Sequence, residues 1–182
     1  ALRDAKLKGA KIIHINPLPE TGLVRFKHPQ DYMRFNLAST GLADMHLQVK
    51  IGGDAALLQG INKLTIDSQL IDKSFITKKT KSYNEFTKSL ENIDWNRIEI
   101  DSGIPRDQIE KLSDIIIKSK SIISCWAMGL TQHRNGVQVI QEVVNMHLLG
   151  GHIGRIGAGL CPVRGHSNVQ GNRTVGILSL IH

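Results

Sequence analysis

The run Ser121 to Ala127 is mostly apolar, breaks at Met128-Gly129, and gives way after Asn135 to a helix-periodic stretch, Gly136 to Leu149. An apolar segment too short for a buried helix and bounded by a glycine predicts a strand covered on both faces. A strand followed by an amphipathic helix is half of a βαβ unit, and such units commit a chain to a parallel sheet with helices packed on it.

The same grammar occurs twice earlier. Ala1 to Lys8 has the pattern of the last turns of a helix, closed by Gly9. Lys11 to Ile15 follows as a strand and stops at Asn16-Pro17, because proline offers no amide to a ladder. Helix, glycine and strand in that order form a βαβ unit without its first strand, so the chain is expected to begin inside a domain. Asp44 to Lys50 is the second strand, with His46 and Gln48 alternating with Met45, Leu47 and Val49. Gly52-Gly53-Asp54 then leads into a helix over Ala55 to Leu70, with Asp54 as the expected N-cap.

The segments between are less regular. Leu18 to Thr40, with Pro19, Gly22 and Pro29, is expected to be loop with a short helix near Tyr32. Two short helices are predicted over Asp72–Thr80 and Ser82–Ile93, the second with a Ser82/Glu85 capping box. Pro105 suits the first turn of a helix to Lys118 that turns Ile109, Leu112 and Ile116 inward. The helix from Gly136, capped by Asn135, is expected to bury Val137, Ile140, Val143, Val144 and Leu148 and to end at Gly150-Gly151. From His152 onward the expectation is loop.

A chain of 182 residues can bury roughly 70% of the surface it exposes when unfolded, so a proper core is expected. No apolar run approaches the ~20 residues that span a bilayer. With no signal-peptide pattern in view, the cytoplasm is the expected compartment and no membrane contact is expected. The net charge of +7 favours an anionic partner. Lys78, Lys79 and Lys81 suit a solvated helix end, whereas Arg155, Arg164 and Arg173 stand among glycines. A nucleotide- or nucleic-acid-binding module without catalysis is the rival class, but no stacking aromatic pair and no basic groove helix supplies a nucleic-acid reader. Cys125 and Cys161 are far apart in sequence and too few for an iron–sulfur cluster, so reduced, packed thiols are expected.

Three places stand at the carboxyl ends of expected strands, the edge where open α/β sheets bind ligands: Asn16, the run Gly52 to Asp54, and Met128 to Gln132. Gly52-Gly53 can present amides to a phosphate at a helix start. The Asp54 carboxylate would repel that phosphate and suits ribose hydroxyls or the N2 amino donor of guanine instead; it can equally be a simple cap after a simple turn. Asn16 offers an acceptor and two donors to a base or sugar, and the amide of Gln132 could bond a heterocycle edge or face water. Arg164 carries a planar fork suited to a carboxylate or another small oxyanion, and His166 can move a proton or hold a water.

Two longer blocks carry a resemblance. Cys125-Trp-Ala-Met-Gly-Leu-Thr-Gln-His-Arg and Gly150-Gly-His-Ile-Gly-Arg-Ile-Gly-Ala-Gly-Leu-Cys-Pro-Val-Arg-Gly-His-Ser-Asn-Val-Gln-Gly171 resemble the molybdopterin oxidoreductases, and within them the formate-dehydrogenase-like alpha subunits. Asn16-Pro17, Ala43-Asp-Met-His46 and Gly52-Gly-Asp-Ala-Ala-Leu57 follow the same family's order of strands and helices. The resemblance implies an α/β, Rossmann-like three-layer domain with a mostly parallel sheet, its first strand or strands missing, and a helical insertion in the middle. Residues 1–159 would be the dinucleotide-binding part and 160–182 an active-site loop segment leading out of it. It further implies a bis-(molybdopterin guanine dinucleotide) cofactor with molybdenum or tungsten. Asn16, Gly52 and Asp54 would then contact guanosine and its diphosphate, and Met128, Gly129 and Gln132 the pterin side. Arg164 would be the arginine beside the metal, with His166 after it, in two-electron oxidation of formate or a similar small oxyanion. The family's 4Fe-4S segment, metal-ligating residue and second dinucleotide domain match nothing here, so the chain is expected to act with further domains, and with an electron-acceptor subunit, and to be inactive alone.

Overall fold

Helix α3 (Asp54–Asp67) buries Ala55, Leu57, Leu58, Ile61 and Ile66, a set too wide for one stripe, and it is accordingly covered from several sides. Its neighbours are α6 (Trp95–Ser102), α7 (Arg106–Lys118) and α9 (Gly136–Leu149). One core joins its Leu57, Leu58 and Ile61 to Ile98, Ile109, Leu112, Val139, Val143 and Met146. Gly60 lets α6 and α7 approach: a Cβ there would stand 3.1 Å from Ile98 Cγ2 and 3.4 Å from Ile109 Cγ2. A smaller cluster of Ile66, Ile76, Leu90 and Leu149 ties α4 (Lys73–Lys79) and α5 (Tyr83–Glu91) to the far end of α3.

The computed structural model describes residues 2–27 and 39–163. After α1 (Leu2–Leu7), strand β1 (Ile13–Ile15) pairs in parallel with β2 (Met45–Leu47), His14 opposite His46. Strand β3 (Ile123–Trp126) pairs in parallel with β4 (Gly159–Pro162), Cys125 opposite Cys161. The fold is therefore mixed α/β with parallel pairing, as expected, although among the described residues the hydrogen bonding forms two two-stranded sheets rather than one. Strand β2 stops earlier than Lys50 for a visible reason. Past Leu47 the backbone turns away, the Val49 amide donating to Leu47 O (3.0 Å) and the Lys50 amide to Ser102 O at the end of α6 (2.8 Å).

Strand β4 corrects the expectation of loop from His152 onward. The Gly159 amide donates to Ile122 O (2.9 Å) and the Val163 amide to Trp126 O (2.7 Å), which locks the pair at both ends. A strand with glycine at its start and proline at its end has little sequence signature, and its proline fits an edge position that needs no donor. Helix α6 likewise formed where none was expected, and the short helix α2 (Thr21–Val24) lies in the expected loop, while Tyr32 is outside the described residues. The Ser82/Glu85 capping box does not form: Ser82 sits at φ 59 and its side chain caps nothing. Asp72 does cap α4, accepting from the Phe75 amide at 2.8 Å.

Helix α9 turns a different face inward from the one its aliphatic residues suggest. Val139, Val143, Met146 and Leu149 are buried, whereas Val137 is 76% exposed. Two polar residues set this rotation. Glu142 accepts from Asn62 Nδ2 on α3 (2.9 Å), and His147 Nε2 pairs with Ser124 Oγ on β3 (2.8 Å). Both belong to the buried side, and hydropathy alone assigns them to water. Met146→Ala is accordingly expected to cost about 2–5 kcal/mol of stability, and Val137→Ala less than about 0.5 kcal/mol. Urea unfolding of the two variants checks this, and equal costs would mean the helix is rotated otherwise.

Candidate functional site

The ends of the strands and the starts of the long helices gather at one edge. Strands β1 and β2 finish side by side, since the Asn16 amide still reaches Leu47 O at 3.1 Å beyond the last paired residue. Helix α3 rises from the loop after β2, and α9 from the segment after β3. These two helices run parallel: their middles join at Asn62 and Glu142, their ends share a cluster at Ile66 and Leu149, and His133, ahead of α9, is within electrostatic reach of Asp54 at the start of α3. A parallel pair has both positive dipole ends on the same side.

Of the residues singled out from the sequence, Asn16 follows β1, Gly52 and Asp54 lie between β2 and the body of α3, and Met128, Gly129 and Gln132 lie between β3 and α9. Asn16 is half-buried, and its Nδ2 donates to Leu18 O (2.8 Å) and Glu20 Oε1 (3.3 Å). Its carbonyl oxygen is thus the atom left for a donor on a sugar or base. Gly52 has φ +81, a conformation that a side chain rarely tolerates, and an added Cβ would meet no atom within 4 Å. Gly53 does the opposite job: a Cβ there would fall 2.5 Å from Asp101 O, so its hydrogen is what lets the turn pack on the end of α6. Met128 and Gly129 open the short helix α8 (Met128–Thr131), with clear space at Gly129. The exposed Gln132 closes it, its backbone N–H donating to Met128 O at 2.9 Å. Arg164 and His166 lie outside the described residues; the chain is last described at Val163, against the tip of β3.

Asp54 is not the cap of α3 but its first helical residue, with Gly53 at the cap and no side chain bonding the helix start. The tight Gly52-Gly53 turn, pressed against α6, begins the helix one residue earlier than the carboxylate suggested. Burial pushes the half-buried Asp54 carboxyl above its usual range, opposed by its own backbone amide and by His133. An acid kept half-buried without a capping task costs stability, which is common where a group is kept for recognition. The start of α9 is also free of any side-chain cap. Open space in front of two glycines, two uncapped helix starts and one carboxylate fit an elongated ligand. Its middle would be anionic and one end would carry hydrogen-bond donors.

Sequence reasoning did not commit to His133, whose only signal was its position next to Gln132. It also missed two pairs that the sheet assembles. His14 and His46 face each other with Nδ1 atoms 3.0 Å apart and rings 4.7 Å between centroids. Burial and then His46 lower the basicity of His14, and the buried His46 Nε2 has no partner. Cys125 and Cys161, expected as separate packed thiols, are instead exposed neighbours across β3 and β4. Only a correct placement of β4 could have brought them together on paper.

A family model for molybdopterin oxidoreductases matches residues 3–180, and the chain belongs to that family. Protein YdeP of Escherichia coli (strain K12) is 43% identical over 188 residues, covering 97% of this chain and 25% of that protein. An uncharacterized oxidoreductase of Mycobacterium tuberculosis, Rv2900c, is 41% identical over 97% of this chain and 23% of its own length. Formate dehydrogenase H of Escherichia coli is 30% identical over 96% of this chain and 22% of its own length. Among solved structures, acetylene hydratase from Pelobacter acetylenicus superposes with a TM-score of 0.70 at 20% identity, over 85% of this chain and 19% of that one, a likeness of fold. The chain thus spans about a quarter of the length of the curated relatives it matches. Membership implies a molybdenum or tungsten pterin cofactor. Among the described residues no helix is long and apolar enough to cross a membrane.

The raised Asp54 pKa has a stability consequence whose sign is fixed. The fold favours the protonated acid, so the stability it contributes at low pH is lost as pH rises through the raised value. Asp54→Asn is expected to unfold at a higher temperature than the parent chain at neutral pH, and the advantage should shrink on acidification. Thermal melts across mildly acidic to neutral pH measure this; a variant less stable at every pH would show that the carboxylate is structural.

Proposed function

We propose that this chain grips one molybdopterin guanine dinucleotide within a formate-dehydrogenase-like oxidoreductase that carries the bis form of the cofactor. The observation that carries this reading is the parallel pair α3 and α9, starting together beside a half-buried Asp54 and the open Gly52 and Gly129. The similarity to formate dehydrogenase H supports the choice within the family. When bound, the molybdenum or tungsten pterin supplies the two-electron chemistry, and the protein's part is to bind, orient and tune.

Each residue then has a distinct task. The Asp54 carboxylate accepts from the guanine N2 amino group or from ribose hydroxyls, and the Asn16 carbonyl oxygen takes a further donor. The backbone at Gly52 and the start of α3 face the diphosphate, where a Cβ or a capping side chain would intrude. Met128, Gly129 and Gln132 line the approach to the pterin, the glycine admitting a flat ring system. Arg164 holds the carboxylate of formate or a similar small oxyanion in a two-pronged hydrogen bond, and His166 moves a proton or holds a water; both roles rest on the sequence resemblance. The net charge of +7 favours so anionic a cofactor and substrate. The 4Fe-4S cluster, the metal-ligating residue and the second dinucleotide domain belong to other parts of the longer protein. Electrons pass to an acceptor subunit, and the assembly works in the cytoplasm.

Titrating GMP, GDP and AMP into the purified chain tests the nucleotide grip. Guanine nucleotides are expected to bind weakly, more tightly than AMP, and Asp54→Ala should weaken them by about ten- to a hundredfold, the loss of one charge-assisted hydrogen bond of ~1.5–3 kcal/mol. Equal binding of AMP and GMP, unmoved by the substitution, would sink the reading. Nucleic-acid binding with a steep salt dependence would favour the non-catalytic module instead. In the full-length enzyme, Arg164→Ala is expected to lower kcat/KM for formate by about two orders of magnitude, measured by dye reduction. An unchanged value would remove Arg164 from the substrate site.

A further inference from the structure

The parallel register of β3 and β4 sets Cys125 directly opposite Cys161. Neighbouring strands lie about 4.7–4.9 Å apart, within the ~4.4–6.8 Å of Cα separation that a disulfide spans. Residues paired across two strands point to the same side of the sheet. That side is open, for both cysteines are exposed, and Ile123 on the same alternation is 59% exposed. The alternate residues Ser124 and Trp126 face inward, one bonded to His147 and the other against the main core. The two thiols are also electrostatically aware of each other, for burial and then Cys161 push the Cys125 thiol up. Two exposed thiols set opposite each other on paired strands have the Cα separation that a disulfide spans.

We infer that Cys125 and Cys161 form a reversible dithiol–disulfide couple, closed by exchange with a small-molecule disulfide such as oxidised glutathione. In the first step the thiolate of one cysteine attacks a sulfur of that disulfide, breaking its S–S bond. One small thiolate is released and a mixed disulfide remains on the protein. The other cysteine then loses its proton, and its thiolate attacks the protein-side sulfur and displaces the second small thiolate. Two protein thiols are oxidised, one small disulfide is reduced to two thiols, and the two protons released by the protein end on the departing sulfurs. The bond would pin the edge strand β4 to β3 and close the chain from 125 to 161 into a covalent loop around α9, restricting the unfolded state. This couple lies on the exposed face of β3 and β4.

The test uses the whole chain, reduced, freed of reductant and equilibrated with oxidised glutathione. Intact mass is expected to fall by two hydrogens with both reactive thiols lost together, and a peptide map should show residues 125 and 161 linked. Cys125→Ser and Cys161→Ser should each stop at a single glutathione adduct. The oxidised parent should melt at a higher temperature than the reduced parent, a difference absent in both serine variants. Two independent glutathione adducts on the parent would overturn the inference, as would a chain-to-chain disulfide as the main product. Thiols that react only after denaturation would also overturn it.

Discussion

The contact on which the rest of the structure depends is the one between Asn62 and Glu142. Asn62 is fully buried, and its Nδ2 donates both to a carboxylate oxygen of Glu142 at 2.9 Å and to the backbone oxygen of the same residue at 3.2 Å. Gln59 adds a longer bond at 3.4 Å. Burial raises the Glu142 carboxyl, while hydrogen bonds from Asn62, Gln59 and Asn145 pull it back, so the group is costly to bury and answered by directional partners. Apolar packing alone would let α9 slide along α3. A slip of one helical turn, about 5.4 Å, would break these bonds and carry His133 away from Asp54. The axial register of the two helices, and with it the meeting of their positive ends, therefore rests on a polar contact inside an otherwise aliphatic core.

From that register the candidate edge follows with little further help. The Asn16 amide keeps β1 and β2 level at their tips. Gly53, pressed against Asp101 O and Ser102, fixes where α3 begins. His147 fastens α9 to Ser124 of β3, so the segment after β3 is delivered to the same edge from the other side. The flexible-looking residues, Gly52 and Gly129, are thus held by neighbours that are not flexible at all. What remains open around them is space, and a half-buried acid beside it.

Much of this was legible in the sequence, and the failures have a common cause. The order of strands and helices could be inferred from apolar runs ending in Asn16-Pro17, Gly52-Gly53 and Met128-Gly129, because chain-breaking residues act locally. The inner face of α9 could not. Val137 looks like core and is solvent-exposed, while Glu142 and His147 look like surface and are buried, since each has a partner on an element far away in sequence. Asp54 was misjudged by one position for the same reason: the packing of Gly53 on α6, an element that periodicity did not reveal, decides where the helix starts. Strand β4 escaped because Gly159 and Pro162 carry the signs of a loop, and the pairing of Cys125 with Cys161 escaped with it. Arg164 and His166 rest on the family likeness, beyond the described residues.

The spread of relatives separates what this edge does from what the family's members do. A protein named acetylene hydratase shares the fold over 85% of the chain, and one named formate dehydrogenase H shares sequence over 96% of it. The reactions those names describe differ. A shared fold therefore does not settle the reaction, since a fold constrains chemistry only through the site grafted on it. Helix starts and glycine gaps recognise shape and diffuse negative charge, which a nucleotide-bearing cofactor presents whatever reaction it supports. Discrimination between small substrates needs a directional group such as a guanidinium, whose two-pronged bonding distinguishes a carboxylate from a neutral molecule of similar size. On the proposed reading, an edge built of backbone and one acid, with Arg164 on a separate segment of chain, would let one cofactor grip be kept while the reaction is changed.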